Sequence, residues 1–426
     1  MANMLIHVDS NRKIRLKTPN TKHQTPNTKH ETRNMKIIQY CQHVLGVGHL
    51  VRTLEILKAF KGHEVILVNG GAPVEFPLPG HVREFRLPAM MMDTQFKKLL
   101  PVENGLSLNA VKAARKERLF DLFDAERPDL FIVELFPFGR RAFTFEIEPV
   151  LRAIHEGVLP SCFVSCSLRD ILVESKKHWD AYEKEVIGRL NTYFNALCIH
   201  SDPDIIRLDE TFNRMADIKI PLVYTGFVAQ QVSPGAGLEK RRVLDLSEGD
   251  RLIVASAGGG KVGFSLLQAV CNAFKEMRVT DPKLHLIIFT GPFMEEAAYQ
   301  TLLAGDDERI DVRRFSLNFL SYLAAADLSV SMAGYNTCMN IFAAETPALV
   351  RPFAQNREQG MRAERLAGIG AVEILRDCDF QKDRLANRMR AAMSAKWRLS
   401  HGIDLDGAKK TARWLLRQSP DRGEGS

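Results

Sequence analysis

Two glycine turns, one strand-to-helix junction and one histidine are the places where residue type and spacing in this chain could do chemistry. Gly46-Val-Gly48 follows the apolar run Lys36–Cys41, and Gly258-Gly259-Gly260 follows Leu252–Ala257; a helical pattern comes after each. A bare backbone lets a phosphate approach N–H groups at a helix N-terminus. A tight turn without a ligand is the bland reading of either. Gly46-x-Gly48 lacks the third glycine of a dinucleotide fingerprint, and no acidic residue closes the second strand. Gly258-Gly-Gly260-Lys261 lacks the spacing of a P-loop. Ala333-Gly334-Tyr335 joins a strand to a helix that starts near Asn336 and Thr337, so free N–H groups, a hydroxyl and the helix dipole converge on one anion-sized spot. Asn336 could equally just cap that helix. His49 sits directly after the first turn, and an imidazole with a pKa near ~6.5 suits a general base at neutral pH. A histidine at a helix start also bonds backbone or phosphate. Glu134, ending another apolar strand, is the reserve base.

The elements that must position these residues alternate along the chain. Lys36–Cys41 reads as a strand, His49–Lys61 as a helix with apolar residues at helical spacing (Leu50, Leu54, Leu57, Phe60), and Glu64–Val68 as the next strand. Further strands read at Leu130–Leu135, Cys162–Ser167, Ala196–His200 and Leu222–Thr225. Residues 230–245, with Pro234, Gly235 and Gly237, read as a linker. A second alternation follows: strands at Leu252–Ala257, Leu284–Thr290, Ile310–Phe315, Leu328–Met332 and Ala348–Val350, with helices at Phe264–Met277 and Met294–Leu303. This pattern predicts an α/β protein with two parallel-sheet domains, 35–229 and 246–400, facing each other across a cleft, and a C-terminal helix and tail over 401–426.

Composition narrows the class. With 45% hydrophobic and 26% charged residues the chain is of ordinary globular type. Its formal charge is +7, but residues 1–34 hold seven of the 58 basic residues and two of the 51 acidic ones, leaving the remainder nearly neutral. That argues against an electrostatic nucleic-acid binder. The seven cysteines are odd in number and scattered, which suits a reducing compartment rather than a disulfide framework or a zinc site. No apolar run approaches the ~18 residues that span a bilayer, and the N-terminus lacks a signal peptide's apolar core; a soluble, cytoplasmic protein is expected. Residues 1–34 carry a polar near-repeat, Thr18–His23 and Thr25–His30, that cannot bury enough apolar surface to offset its ordering entropy. Met35 reads as the natural start, and the segment before it as a disordered tail or a start-site artefact.

Ser331-Met-Ala-Gly-Tyr-Asn-Thr-Cys-Met-Asn-Ile-Phe-Ala-Ala-Glu-Thr-Pro-Ala-Leu-Val-Arg-Pro-Phe353, continued by Ala354–Gln359, resembles the nucleotide-sugar signature of GT-B glycosyltransferases. It is nearest to glycosyltransferase family 28, the branch around the N-acetylglucosaminyltransferase of peptidoglycan synthesis. The match runs further to a bacterial group usually described only as predicted glycosyltransferases, through Gly46–Arg52, Phe136–Phe143, Ser167–Asp170 and Ser331–Thr337. The resemblance covers roughly Met35 to Gln418. It implies two Rossmann-like domains, a nucleoside-diphosphate sugar, most simply a UDP-sugar, held by the C-terminal domain, and inverting transfer to a hydroxyl without metal or cofactor. On it, Gly258–Gly260 and Ala333–Thr337 hold the diphosphate, Asn340 faces the ribose, and Glu358 and Gln359 face the sugar. Gly46, Gly48, Arg52, Arg169 and Asp170 line the cleft or the acceptor side, although a loop ion pair is the plainer reading of Arg169 and Asp170, and an exposed pair that of Arg140 and Arg141.

Two departures stand out. Family 28 carries a Glu, accepting both ribose hydroxyls, where this chain has Asn340, and tends to an Arg where it has Gln230. An amide lacks the charge that strengthens such bonds. The competing readings are a nucleotide-sugar 2-epimerase of the same fold and a non-catalytic nucleotide-sugar-binding protein. The acceptor is open between a glycan, a lipid-linked and a small-molecule alcohol. Phe76–Leu108, with Met90, Met91, Met92, Phe96, Leu99 and Leu100, reads either as a lipid-contacting surface at the membrane periphery or, preferred, as core.

Overall fold

The computed structural model describes residues 34–42, 48–71, 76–92, 99–103, 105–172, 179–305, 307–397 and 402–418. The N-terminal half holds a parallel sheet of β1 (Lys36–Tyr40), β2 (Glu64–Asn69), β3 (Val82–Arg86), β6 (Leu130–Glu134), β7 (Phe163–Arg169), β8 (Ala196–His200) and β9 (Leu222–Tyr224), with a small antiparallel hairpin of β4 (Met90–Met92) and β5 (Leu99–Pro101). The C-terminal half holds a second parallel sheet of β10 (Arg251–Ser256), β11 (Leu284–Phe289), β12 (Ile310–Arg313), β13 (Leu328–Met332), β14 (Ala348–Arg351) and β15 (Glu373–Ile374). Helices cover both: α1 (Gly48–Lys58), α2 (Leu108–Glu126), α3 (Thr144–His155), α4 (Trp179–Tyr193), α5 (Ala236–Val243), α6 (Phe264–Thr280), α7 (Glu296–Leu303), α8 (Phe319–Ala325), α9 (Tyr335–Ala343), α10 (Arg357–Gly368), α11 (Lys382–Ser394) and α12 (Gly407–Leu416). The central strands are near-continuous apolar runs, such as Leu130–Val133 and Leu252–Ala255, without accessible surface. Only a sheet covered on both faces buries every position of a strand, which is why the runs do not alternate.

Strand order positions the chemistry. The first sheet runs β3-β2-β1-β6-β7-β8-β9 and the second β12-β11-β10-β13-β14-β15. In each, the chain builds outward on one side and then crosses back to the other, so the order reverses between β1 and β6 and between β10 and β13. Loops leaving adjacent strands in opposite directions open a crevice at the carboxyl edge there. His49 follows β1 and Glu134 ends β6; Gly258–Gly260 follow β10 and Gly334–Thr337 follow β13.

Several elements depart from the sequence reading. β3, the β4–β5 hairpin and β15 carry no long apolar run; β3 is an edge strand, VREFR, that buries only Val82. Residues 230–245 are not bare linker, since α5 lies within them. In 401–426, α12 crosses back to the N-terminal half, where Ala412 and Leu415 join the cluster of Leu50, Leu54 and Leu57 from α1. The β4–β5 hairpin splits: Met90 and Leu99 are buried, while Met91 and Leu100 are 44% and 45% exposed. Phe96, Gly46 and residues 1–33 lie outside the described residues.

Candidate active site

On the N-terminal side, α1 presents His49 and, one turn later, Arg52 toward the end of β6. His49 Nδ1 lies 2.5 Å from Glu134 Oε1, and Arg52 Nη2 donates to the same oxygen at 2.6 Å. Arg140 reaches the other oxygen, Oε2, from Nη2 at 3.3 Å. Glu134 is therefore ionised: burial by itself would raise its pKa, but His49, Arg140 and Arg52 hold it well below the usual carboxylate range. Contact with an anionic oxygen puts the ring hydrogen on Nδ1. Arg52 Nη2, 3.1 Å from that nitrogen, then bonds the carboxylate rather than the ring. Nε2 keeps its lone pair. Burial lowers the His49 pKa to about 4; Glu134 opposes that shift, and Arg140 and Arg52 reinforce it. The imidazole is neutral at pH 7.

These distances revise two expectations. Glu134, at 1% exposure, sits behind His49 with both oxygens engaged, so its geometry is that of an orienting carboxylate rather than a solvent-facing base. Arg140 is not part of an exposed pair, since its side chain is 7% exposed and serves Glu134, whereas Arg141 lies outside and pairs with Glu185.

Opposite stands the glycine turn. Gly258 and Gly260 have φ of +66° and +90°. A Cβ on Gly260 would lie 2.5 Å from the carbonyl oxygen of Thr290, and one on Gly291 would lie 2.4 Å from that of Gly258. The two loops pack backbone on backbone, which only glycine permits. A Gly260→Ala change should therefore cost roughly 1–3 kcal/mol in strain alone. Thermal melting of the ligand-free protein checks this: an unchanged melting temperature would mean that the turn relaxes freely.

Gly334 begins α9 and no side chain caps it. Cys338 is the residue whose N–H bonds back to Gly334 O, at 3.0 Å. The preceding first-turn amides have no partner within the helix. Thr337 lies beside them, its Oγ1 3.7 Å from where a Gly258 Cβ would stand. Asn336 is not the cap: its Nδ2 donates across the cleft to Gly48 O at 3.0 Å. Ala333 is fully buried and its carbonyl accepts from Arg362, so it offers the site nothing directly. Tyr335 is also spoken for. Its hydroxyl accepts from Val228 N–H at 2.9 Å and donates to His200 O at 3.3 Å, while the Arg52 and Arg362 guanidiniums each lie 5.4 Å from its ring centroid.

Arg169 and Asp170, at the end of β7, turn out to join the halves. Asp170 is fully buried and takes two bonds from Arg362 of α10, at 2.7 and 2.8 Å; it is not available to an acceptor. Arg169 pairs with Glu358 at 2.6 Å, and Arg362 donates to the other Glu358 oxygen at 2.7 Å. Burial would raise the Glu358 pKa, but Arg169 and Arg362 bring it below the ordinary value. Gln359 Oε1 accepts from Phe353 N–H at 3.0 Å. Gln230 donates to Glu55 at 3.3 Å.

Between the two sides lies a cavity of about 720 Å³. Its lining includes Gly48, His49, Arg52 and Arg169 from one half, and Gly258–Gly260, Gly334–Thr337, Asn340, Glu358 and Gln359 from the other. Its lining carries Arg52, Lys58, Arg169, Lys261 and Arg314 beside Glu55 and Glu358, with Arg52 and Arg314 paired to Glu134 and Glu296. Sequence reading missed the Arg314–Phe319 loop, Phe293 and Phe76, which also line it. Reading β12 through to Phe315 hid the loop; the strand ends at Arg313. Among the described residues no group of three or more His, Cys, Asp or Glu could hold a metal ion, and no helix is long and apolar enough to cross a membrane.

Two Rossmann-like parallel-sheet halves with facing switch points define the GT-B class. Solved structures of that class superpose on most of the chain: the glycotransferase of kitacinnamycin (TM-score 0.56, 15% identity, 91% of this chain and 100% of that one) and MurG of Acinetobacter baumannii (TM-score 0.51, 15% identity, 90% and 99%). At such identities they show the fold alone. Residues 256–404 match the glycosyltransferase family 28 C-terminal domain, so the chain has the GT-B fold with a C-terminal half similar to that domain. Among curated relatives, the UDP-N-acetylglucosamine–N-acetylmuramyl-(pentapeptide) pyrophosphoryl-undecaprenol N-acetylglucosamine transferase of Carboxydothermus hydrogenoformans is 29% identical over 141 residues, 32% of this chain and 37% of that protein. The corresponding Caldicellulosiruptor saccharolyticus protein is 26% identical over 140 residues. The chain thus matches little more than a third of their length.

Proposed function

We propose that the protein moves a sugar from a nucleoside-diphosphate donor, a UDP-sugar, to a hydroxyl acceptor, by inverting, metal-independent transfer. The observation that carries this reading is the opposition, across one cavity, of a neutral His49 backed by Glu134 and an uncapped helix start beside a glycine turn. A diphosphate between Gly258 and Thr337 would meet α9's first-turn amides, the Thr337 hydroxyl and the helix dipole. Asn340, one turn further on the same helix, is assigned to the ribose, and Glu358 and Gln359, held in place by Arg169, Arg362 and the Phe353 amide, to the sugar hydroxyls. In the reaction, His49 Nε2 takes the proton of the acceptor hydroxyl, whose oxygen bonds the anomeric carbon as the bond to the diphosphate oxygen breaks. The nucleoside diphosphate departs with the electron pair, and the helix start stabilises its charge. Glu134 steadies the imidazolium until water takes its proton. A lipid-linked alcohol is the acceptor class that the named relatives suggest.

Binding of UDP-, GDP-, dTDP- and ADP-sugars, followed by release of nucleoside diphosphate with and without acceptor alcohols, tests the reading. Binding of a UDP-sugar with acceptor-dependent release of UDP is expected. Interconversion of the sugar at C2 without transfer would replace it with the epimerase, and binding without turnover over a broad acceptor panel with a sensor. Asn340→Glu should tighten donor binding by several-fold, as a charged acceptor strengthens bonds to ribose hydroxyls; a folded variant that no longer binds would place the ribose elsewhere.

A further inference from the structure

The second sheet's order sets the cavity's chemistry in a line. Along its carboxyl edge come the Arg314–Phe319 loop after β12, Phe293 after β11, the glycine turn after β10, the α9 start after β13, and Asn356–Gln359 after β14. One end is aromatic and the other polar, with the anion-binding backbone between them. At the aromatic end, Phe315 and Phe293 are 46% and 42% exposed, large apolar rings left open in a cavity otherwise rich in cations. An exposed ring in a cleft is an unfilled contact surface. The ring nearest Phe315 comes from the opposite half: Phe76, in the segment leading to β3, meets it edge to face, with centroids 5.9 Å apart and planes at 79°. Phe76 is half-buried against the α1–α12 cluster, which fixes it to the N-terminal half.

We propose that Phe76 completes the donor's nucleobase seat from the N-terminal half, closing over the base against Phe315. The inference rests on the transferase reading above. With the diphosphate at the glycine turn and the sugar toward Glu358, the base extends toward β11 and β12, where a planar π-system finds rings on both sides of the cleft. The opposite rim cannot supply this closure, because it is already joined by the buried Asp170–Arg362 pair. The halves touch at the aromatic rim through the half-buried Phe76 and the exposed Phe315 instead, a contact that a base can enter and complete.

The experiment measures UDP affinity by calorimetry on the full chain, and inorganic pyrophosphate affinity by competition against a fluorescent UDP analogue. Phe76→Ala and Phe76→Leu should weaken UDP binding about 5-fold to 100-fold, the loss of one base–aromatic stack, and leave pyrophosphate binding unchanged. Phe76→Tyr, which keeps the π-face, should bind UDP like the wild type. Leu guards against misfolding, since it keeps the apolar bulk. Equal UDP affinity in wild type and Phe76→Leu, or an equal loss toward pyrophosphate, overturns the proposal while leaving the transferase reading intact. A wild-type protein that binds no nucleoside diphosphate overturns both.

Discussion

His49→Ala should lower transfer by about 10²–10⁴-fold, the usual contribution of a positioned general base, with donor affinity close to that of the wild type. The ring is held through Nδ1 by Glu134 and its Nε2 is assigned to the acceptor, so its loss should appear in kcat rather than in donor binding. The pH profile carries the sharper test. A base must be unprotonated, and burial lowers the His49 pKa to about 4. Activity should therefore persist through pH 5 and fall as the pH drops through about 4, an acidic limb well below the ~6.5 of an ordinary imidazole. His49→Ala should lose that limb. Glu134→Gln should also cut the rate by orders of magnitude, as removing the carboxylate behind a catalytic histidine does elsewhere, because Arg52 and Arg140 would then face an imidazolium without a counter-charge. A His49→Ala enzyme that retains its kcat and changes only donor KM would make His49 a phosphate contact and end the base assignment.

Asp170→Asn should be among the most destabilising single changes in the chain. Asp170 and Arg362 are both without accessible surface and share two hydrogen bonds. Removing the Asp170 charge leaves the buried network of Arg362, Glu358 and Arg169 with one uncompensated positive charge in a medium that solvates it poorly, a loss of about 3–5 kcal/mol. Part of the penalty should return in Asp170→Leu with Arg362→Met, since a buried pair exchanged for apolar groups of similar size is often near neutral. Urea unfolding of the three proteins measures both effects. An Asp170→Asn midpoint equal to the wild type would show that water reaches the pair and that the two halves are held together elsewhere.

The contrast between these predictions separates what sequence could and could not convey. The places of His49, Thr337 and the glycine turns in the fold were legible because they are local: each lies in the connection that leaves a strand end, and strand ends announce themselves through apolar runs bounded by glycine. The strands of both sheets were legible for the same reason wherever burial on two faces made them continuously apolar. β3 and β15 were not, because an edge strand needs neither face fully covered. The loop at Arg314–Phe319 was hidden by one boundary, since Val312, Arg313, Arg314 and Phe315 differ too little to mark where β12 stops pairing.

What the sequence determined by itself was the fold class and the location of the glycine turns and the α9 start, properties that follow from periodicity and from glycine. What only the tertiary structure decided was the partnership of side chains far apart in the chain. Asp170 meets Arg362 across 192 residues and Asn336 meets Gly48 across 288, while Arg52 and Arg140 hold Glu134 as a buried, ionised carboxylate against His49. Charge pairing at such separations leaves no local pattern. A carboxylate's role depends on which cations and how much water surround it, and that is settled only when the carboxyl edges of the two sheets are brought together.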